Sequence, residues 1–251
     1  MATNNKEDKR NFPKVLLATP TAEVKDYCML DWISHIKKLT YPNLDILIVD
    51  NSDNPEYYKK IKKALGDRGK VIHVKRKENQ RIHELMCDCN NKIRASVINK
   101  KNDYKFLFSL ESDLFPPLNI IEYLLLQRKP FIGVPYFTGQ HYASAIIDYH
   151  EERFGYPRGL DVSLMKSFIK YDGKLVLGNN TGIGCTMIHR DILKKVKFRT
   201  ELEYNIWADS YFHSDIYDKF NIQPYLTSDI IVEHRNSDWR KVYKKENIKN
   251  D

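Results

Sequence analysis

The sequence predicts an α/β domain built on a mostly parallel central sheet flanked by helices. Three observations lead there. Short apolar runs alternate with segments of helical periodicity through the first 110 residues. The runs are apolar at successive positions, as strands buried on both faces must be. Each run also stops abruptly on polar or charged residues, which puts reactive side chains at the carboxyl ends of the strands, where open parallel sheets bind ligands.

The elements follow in order. KVLLATP (14–20) reads as a strand closed by proline. Met29, Trp32, Ile33, Ile36 and Leu39 recur at helical spacing within 24–39. DILIVDNSDNP (45–55) is a second strand running into a turn-prone cluster, and PEYYKKIKKALGD a helix stopped at Gly66. KVIHVKR (70–76) is a third strand. A longer helix carries Ile82, Leu85, Met86, Cys89, Ile93 and Val97 on one face, and Phe106, Leu107, Phe108 and Leu110 form a fourth strand. Strand, helix, strand, helix, strand, helix, strand requires crossover connections and therefore parallel pairing.

The second half is less regular. FIGVPYF (131–137) is a strand, and the stretch from there to about residue 174 is rich in Tyr, His and Gly without clear periodicity. TGIGCTMIHRDIL (181–193) reads as a glycine-rich loop, a strand and a helix start. ADSYFHSDIYDKF (208–220) is helical, and DIIVEH (229–234) is a last strand ending on histidine. No internal repeat and no linker divides the chain.

The 251 residues suffice for one large domain, and 42% apolar with 12% aromatic residues supply its core. The polar ends, 1–11 and 241–251, read as tails. No apolar run approaches the roughly 20 residues needed to cross a membrane. Four irregularly spaced cysteines fit a reducing, cytoplasmic setting better than a disulfide framework. A formal charge of +8 suits an anionic partner such as nucleic acid, an anionic membrane or a phosphorylated small molecule, although the lysines are dispersed and also serve solubility.

Thr19, Asp50, Arg76 and the pair Glu111/Asp113 all fall at strand exits. In an extended segment, residues i and i+2 point the same way, so Glu111 and Asp113 can converge on one hard cation such as Mg²⁺ or Mn²⁺. The competing reading is a turn, with Asp113 satisfying loop amides ahead of Leu-Phe-Pro-Pro. His234 at the end of IIVEH is either structural or a further ligand. Asp209 opens a helix and is either a cap or a general base. Gly182 and Gly184 let backbone approach a ligand closely, but TGIGC is no dinucleotide fingerprint. His83 and Cys87 have zinc-like spacing, yet Cys89 belongs to the apolar stripe and the set is incomplete. The first strand is followed by no Gly-rich loop and no Walker-type GK[ST], which argues against a P-loop enzyme and weakens a nucleotidyltransferase reading.

Taken in order, these segments resemble a GT-A-fold glycosyltransferase of the family-2 and Anp1-like type, over about residues 14–235. KVLLATPT resembles the family's opening strand and loop, and DILIVDNSDN is similar to its IIVVDNGS strand, with Asp50 at the base-contacting position. CNNKIRAS looks like the ARN-x-G helix segment, with Asn90 or Asn91 at the Asn. LFSLESD resembles the FLDSD metal motif, TGIGCTMIHRDIL the acceptor loop and following strand, and ADSYFHSDIYDKFNIQPYLTSDIIVEH the catalytic acidic helix and metal histidine.

The resemblance implies that Thr19, Pro20, Asp50, Arg76, Arg81 and Glu111 hold a nucleotide-diphosphate sugar, a UDP-sugar foremost. It further implies Mn²⁺ or Mg²⁺ on Asp113 and His234, Asp209 as the catalytic acidic residue, and Gly182 and Gly184 on the acceptor side. Glu111 replaces the usual first Asp, Ala208 stands where a second acid is common, and the QxxRW motif of processive synthases is absent. The domain would span 12–240, with a donor half at 12–117 and an acceptor half at 118–240 carrying the aromatic segment 136–172. The acceptor would be a modified base in DNA, a glycan, a protein or a lipid-linked sugar. The competing classes are a non-catalytic nucleotide-binding module on the same fold and a sugar nucleotidyltransferase.

Overall fold

The computed structural model describes residues 12–136, 175–178, 181–201, 207–227, 229–230 and 232–235. Strand β1 (Val15–Thr21) lies at its centre, pairing in parallel with β2 (Leu44–Asp50) on one side and β4 (Phe106–Leu110) on the other. Strand β3 (Lys70–His73) adds in parallel beyond β2. On the far side of β4 the sheet becomes mixed. β8 (Cys185–His189) runs antiparallel to both β4 and β6 (Phe131–Gly133), and β9 (Tyr225–Leu226) continues parallel to β6 and antiparallel to β7 (Val176–Leu177). The order is β3-β2-β1-β4-β8-β6-β9-β7. From β1 the chain first winds toward β2 and β3, then returns to place β4 on the opposite side. The reversal makes the β1/β4 boundary the topological switch point, the place where open α/β sheets bind ligands at the carboxyl ends of their strands.

Alternate strand residues feed two cores. Val15, Leu17, Ile46, Ile48, Phe108 and Leu110 pack against Met29, Trp32, Ile33 and Ile36 of α1 (Asp26–Ile36) and Ile61 and Leu65 of α2 (Pro55–Leu65). Leu16, Ala18, Leu47, Val49 and Leu107 face the other way. They meet Leu85, Cys89, Ile93 and Val97 of α3 (Ile82–Ile98), Ile192 and Leu193 of α5 (Arg190–Lys195), and Phe212 and Ile216 of α6 (Ala208–Phe220). A short helix α4 (Ile120–Leu126) joins the first core. Each fully enclosed Trp, Phe, Leu or Ile side chain contributes about 1.5–3 kcal/mol relative to exposure.

Local signals set the helix ends. Asn54 Oδ1 accepts from the Glu56 amide at 3.0 Å, Pro55 opens α2, and Gly66 ends it at φ +59°. At the start of α3, the Glu84 carboxylate accepts from the Arg81 amide at 2.9 Å.

Some expectations change in detail. The helix expected over 24–39 begins with a 3₁₀ turn, Glu23–Lys25, before α1. β3 stops at His73, three residues short of Arg76, because the chain leaves β2's edge there to cross toward α3. Ile82, assigned to the apolar face of α3, is exposed in the helix's first turn. The last strand, β10 (Glu233–His234), does not join the main sheet; it pairs antiparallel with β5 (Leu114–Phe115) as a separate ribbon. The aromatic segment assigned to the acceptor lies, apart from Tyr136, outside the described residues, as do both tails.

Candidate metal and donor site

β1 delivers Thr21 to the switch point. Its hydroxyl lies 3.2 Å from the Tyr57 hydroxyl and 3.1 Å from the Ser112 hydroxyl, tying the loop after β4 to β1 and α2. That loop is a turn: the Leu114 amide donates to the Glu111 carbonyl at 3.1 Å. Glu111 and Asp113 therefore do not lie in an extended segment, as their i, i+2 spacing suggested. A turn does not stand against a candidate cation site, because it is the turn that brings the two carboxylates together.

Asp113 is wholly buried. Its Oδ2 lies 3.0 Å from His234 Nε2 and accepts from the Tyr27 hydroxyl at 3.3 Å and from the Lys25 ammonium. The ribbon explains the histidine, since His234 stands opposite Leu114, next to Asp113. The Arg235 amide locks this register by donating to the Asp113 carbonyl at 2.8 Å. Burial pushes the Asp113 carboxyl up, but the His234 hydrogen bond and the Lys25 charge outweigh it and hold it below the usual carboxylate range. The other oxygen, Oδ1, is buried and accepts no hydrogen bond among the described residues.

Glu111 sits across from it, half-buried. Its amide donates to the Gly184 carbonyl at 2.7 Å, continuing the β4–β8 pairing one step beyond the strand. Tyr136 Oη lies 3.5 Å from its Oε1, and the Tyr136 ring meets the His234 ring edge to face at 5.6 Å. Glycine at 184 is a steric requirement: a Cβ there would stand 2.2 Å from Tyr136 Oη and 2.9 Å from Glu111 Cδ. Burial, then the Asp113 charge, raises the Glu111 carboxyl to about 7. The Asp209 charge pushes in the same direction, so α6 brings its first turn within electrostatic reach of Glu111. Asp209 is itself raised by burial, and its Oδ1 accepts from the Ser210 amide at 2.9 Å.

Glu111, Asp113 and His234 each offer a ligand atom within 4.8 Å of the others. Two carboxylates and an imidazole, with one buried carboxylate oxygen unpartnered, match the donor preference of Mn²⁺ and, with fewer nitrogens, Mg²⁺. The remaining expected residues stand apart from this cluster or engage their neighbours. Thr19 is buried and turns its hydroxyl to the Pro20 carbonyl at 3.1 Å. Asp50 is buried at the end of β2, with His73 Nδ1 at 2.6 Å and the Ser52 hydroxyl at 2.7 Å. Arg76 donates to the Gln80 carbonyl at 2.8 Å, and Arg81 to the Glu201 carbonyl at 3.2 Å. Gly182 takes φ +58°, the left-handed region that favours glycine. Asn91 pairs its amide with both backbone groups of Phe198, at 2.7 and 3.0 Å, fixing α3 to the segment after α5. His83 packs on Trp207 with ring centroids 4.1 Å apart and the rings tilted by 46°.

Sequence reasoning missed Lys25, Tyr27 and Ser112, and placed Tyr136 in the acceptor segment without linking it to Glu111. Their one signal is position: Lys25 and Tyr27 follow directly on the loop after β1, Ser112 lies between the two carboxylates, and Tyr136 follows the strand that pairs with β8.

A parallel β3-β2-β1-β4 half, an antiparallel continuation through β8, and acidic residues at the end of β4 make this a GT-A-like fold. No protein-family model and no curated protein sequence matches the chain. Solved structures do. S. aureus TarS (residues 1–349) in complex with UDP superposes with a TM-score of 0.52 at 13% identity, covering 87% of this chain and 59% of that one. The mannosyltransferase PcManGT from Pyrobaculum calidifontis, in complex with GDP-Man and Mn²⁺, gives 0.53 at 14% identity, covering 88% of this chain and 56% of that one. A mycobacterial protein gives 0.54 at 15%, covering 94% and 74%. The chain thus spans under two thirds of the TarS and PcManGT chains, and at these identities the likeness is one of fold.

Proposed function

We propose that the chain is a divalent-cation-dependent glycosyltransferase that moves a sugar from a nucleotide-diphosphate sugar, a UDP-sugar foremost, to an acceptor hydroxyl. The observation that carries this is the convergence of Glu111, Asp113 and His234 within 4.8 Å at the β1/β4 switch point. Fold likeness to a chain bound to UDP and another bound to GDP-Man and Mn²⁺ supports it.

When bound, the cation would neutralise charge building on the leaving diphosphate. Asp113 and His234 would hold it. Glu111 would complete the shell directly or through water, or reach the donor ribose. The donor half is 12–117, with Thr19, Pro20, Asp50, Arg76 and Arg81 around the nucleotide; Gly182 and Gly184 border the acceptor. Asp209 would accept the acceptor hydroxyl's proton in an inverting displacement, and its raised proton affinity and reach to Glu111 support that role. In a retaining reaction it would orient the hydroxyl instead; the anomer of the product separates the two. The +8 charge favours an anionic acceptor, nucleic acid foremost.

The test is a screen of nucleotide sugars with Mn²⁺, following slow donor hydrolysis in wild type and Asp113→Asn. Hydrolysis of one donor by wild type, reduced at least about 100-fold in Asp113→Asn, is expected from losing a charged ligand to the metal and the phosphates. If no nucleotide sugar is bound or hydrolysed with metal present, the reading fails.

A further inference from the structure

The Asp113 carboxylate already has a cation on it. Lys25 lies in the 3₁₀ turn between β1 and α1, and its ammonium contacts Asp113 Oδ2, the same oxygen that faces His234 Nε2 at 3.0 Å. The two ends of this pair differ: the Asp113 side chain is 0% exposed, whereas the Lys25 side chain is 33% exposed. The lysine thus enters from the solvent side and extends its head into the buried cluster. Its charge acts on Glu111 as well, opposing the rise that burial imposes there. One ammonium therefore offsets charge on both carboxylates that a metal ion would share.

A divalent ion held by Glu111, Asp113 and His234 needs oxygens at about 2.0–2.6 Å. The Lys25 ammonium and His234 Nε2 lie on the same carboxylate oxygen, Asp113 Oδ2, so an ion that takes the imidazole nitrogen together with this carboxylate would stand close to the ammonium. Two cations cannot share that space without strong repulsion, since a buried site screens little. Lys25 is the one that can leave. An ammonium is a compact charge on a flexible four-carbon stem, and its partly exposed stem gives it a path outward. A diphosphate coming from solvent to this buried cluster would meet its exposed side, where the Lys25 stem lies.

Building on the glycosyltransferase reading, we infer that the Lys25 ammonium and a divalent cation are alternative occupants of the Asp113 carboxylate, and that the arriving cation expels Lys25 toward the donor phosphates. In the metal-free protein Lys25 keeps a buried carboxylate paired, which otherwise destabilises the fold. On metal binding it becomes a second positive group for the diphosphate. Metal affinity alone is therefore weakened by the competition, and metal and nucleotide reinforce each other because the nucleotide gives the displaced lysine a new partner.

Calorimetric titration of MnCl₂ into the full chain, without nucleotide, tests the competition. Lys25→Met removes the competitor and is expected to bind Mn²⁺ at least tenfold more tightly than wild type. Lys25→Arg keeps the charge and stays within about threefold of wild type. Lys25→Gln, polar and uncharged, is expected to follow Lys25→Met and serves if the methionine variant folds poorly. A saturating concentration of UDP is expected to tighten Mn²⁺ binding several-fold more in wild type than in Lys25→Met. Equal or weaker Mn²⁺ affinity in both uncharged variants, with Asp113→Asn still abolishing uptake, overturns the inference and leaves the metal site standing. No Mn²⁺ uptake by wild type or any Lys25 variant removes the metal site, and the inference with it.

Discussion

Replacing Gly184 by alanine tests the architecture of the site with the smallest possible change. The new Cβ would stand 2.2 Å from Tyr136 Oη, 2.5 Å from Tyr136 Cζ and 2.9 Å from Glu111 Cδ. Ordinary contact begins near 3.4 Å, so the tyrosine must retreat by about 1 Å. It has little room, being 4% exposed and set edge-on against His234. Overpacking of this kind costs about 1–3 kcal/mol. In a chain of this length that corresponds to a fall in Tm of about 3–10 °C. The displacement acts on Glu111 and on the ring supporting His234, so Mn²⁺ affinity should fall about tenfold alongside stability. Thermal unfolding and calorimetry measure both. Trimming the obstacle in the double variant Gly184→Ala/Tyr136→Leu should recover part of the loss, giving a coupling above the roughly 0.5 kcal/mol expected of independent sites. A Gly184→Ala protein that melts within 1 °C of wild type, as read by the same scan, and binds Mn²⁺ equally well would refute the close packing of Gly184, Tyr136 and Glu111.

His213 is 4% exposed and stacked on Phe131 at 5.2 Å, and burial lowers its imidazole to about 3. The unfolded chain takes up that proton near pH 6.5, whereas the folded chain does not, so stability is full above 6.5 and falls as pH drops toward 3. Between pH 7 and pH 5 the loss is about 2 kcal/mol, and denaturant titrations of His213→Phe should lack this component. Arg94 donates from Nε to the Leu193 and Val196 carbonyls, both at 2.6 Å, closing the carboxyl end of α5. Arg94→Met should cost about 3 kcal/mol in the same assay, because charged hydrogen bonds are lost and buried carbonyls are orphaned. If the acceptor is nucleic acid, duplex DNA should bind with an affinity that falls steeply between 50 and 200 mM salt; no binding at low salt removes nucleic acid as the acceptor.

How much of this was legible in the sequence differs from element to element. The strands β1, β2 and β4 were, because strands buried on both faces must be apolar at successive positions, and the cores show that alternation as Val15 and Leu17 against Leu16 and Ala18; the edge strand β3, exposed at both ends, showed only its Val71-Ile72 pair. The ends of α2 were legible because Asn54, Pro55 and Gly66 act through local backbone geometry. β10 was legible as a strand closing on His234, but its partner was not: its two residues pair with β5 across more than a hundred positions of chain, and no local pattern specifies that partner.

The candidate site divides the same way. Residue type and place at a strand exit singled out Glu111, Asp113 and His234, since carboxylates and a histidine closing apolar runs stand out against their surroundings; Asp209 was singled out as an acid opening a helix. The sequence alone thus determined the α/β class, the end of the sheet where the candidate site lies, and the acidic pair at its centre. The tertiary structure alone decided that a turn makes the pair converge, that a separate ribbon delivers His234, that Gly184 must lack a side chain, and that Lys25 reaches Asp113. Each of those rests on contacts between residues far apart in the chain, and their geometry exists only once the sheet has brought them together.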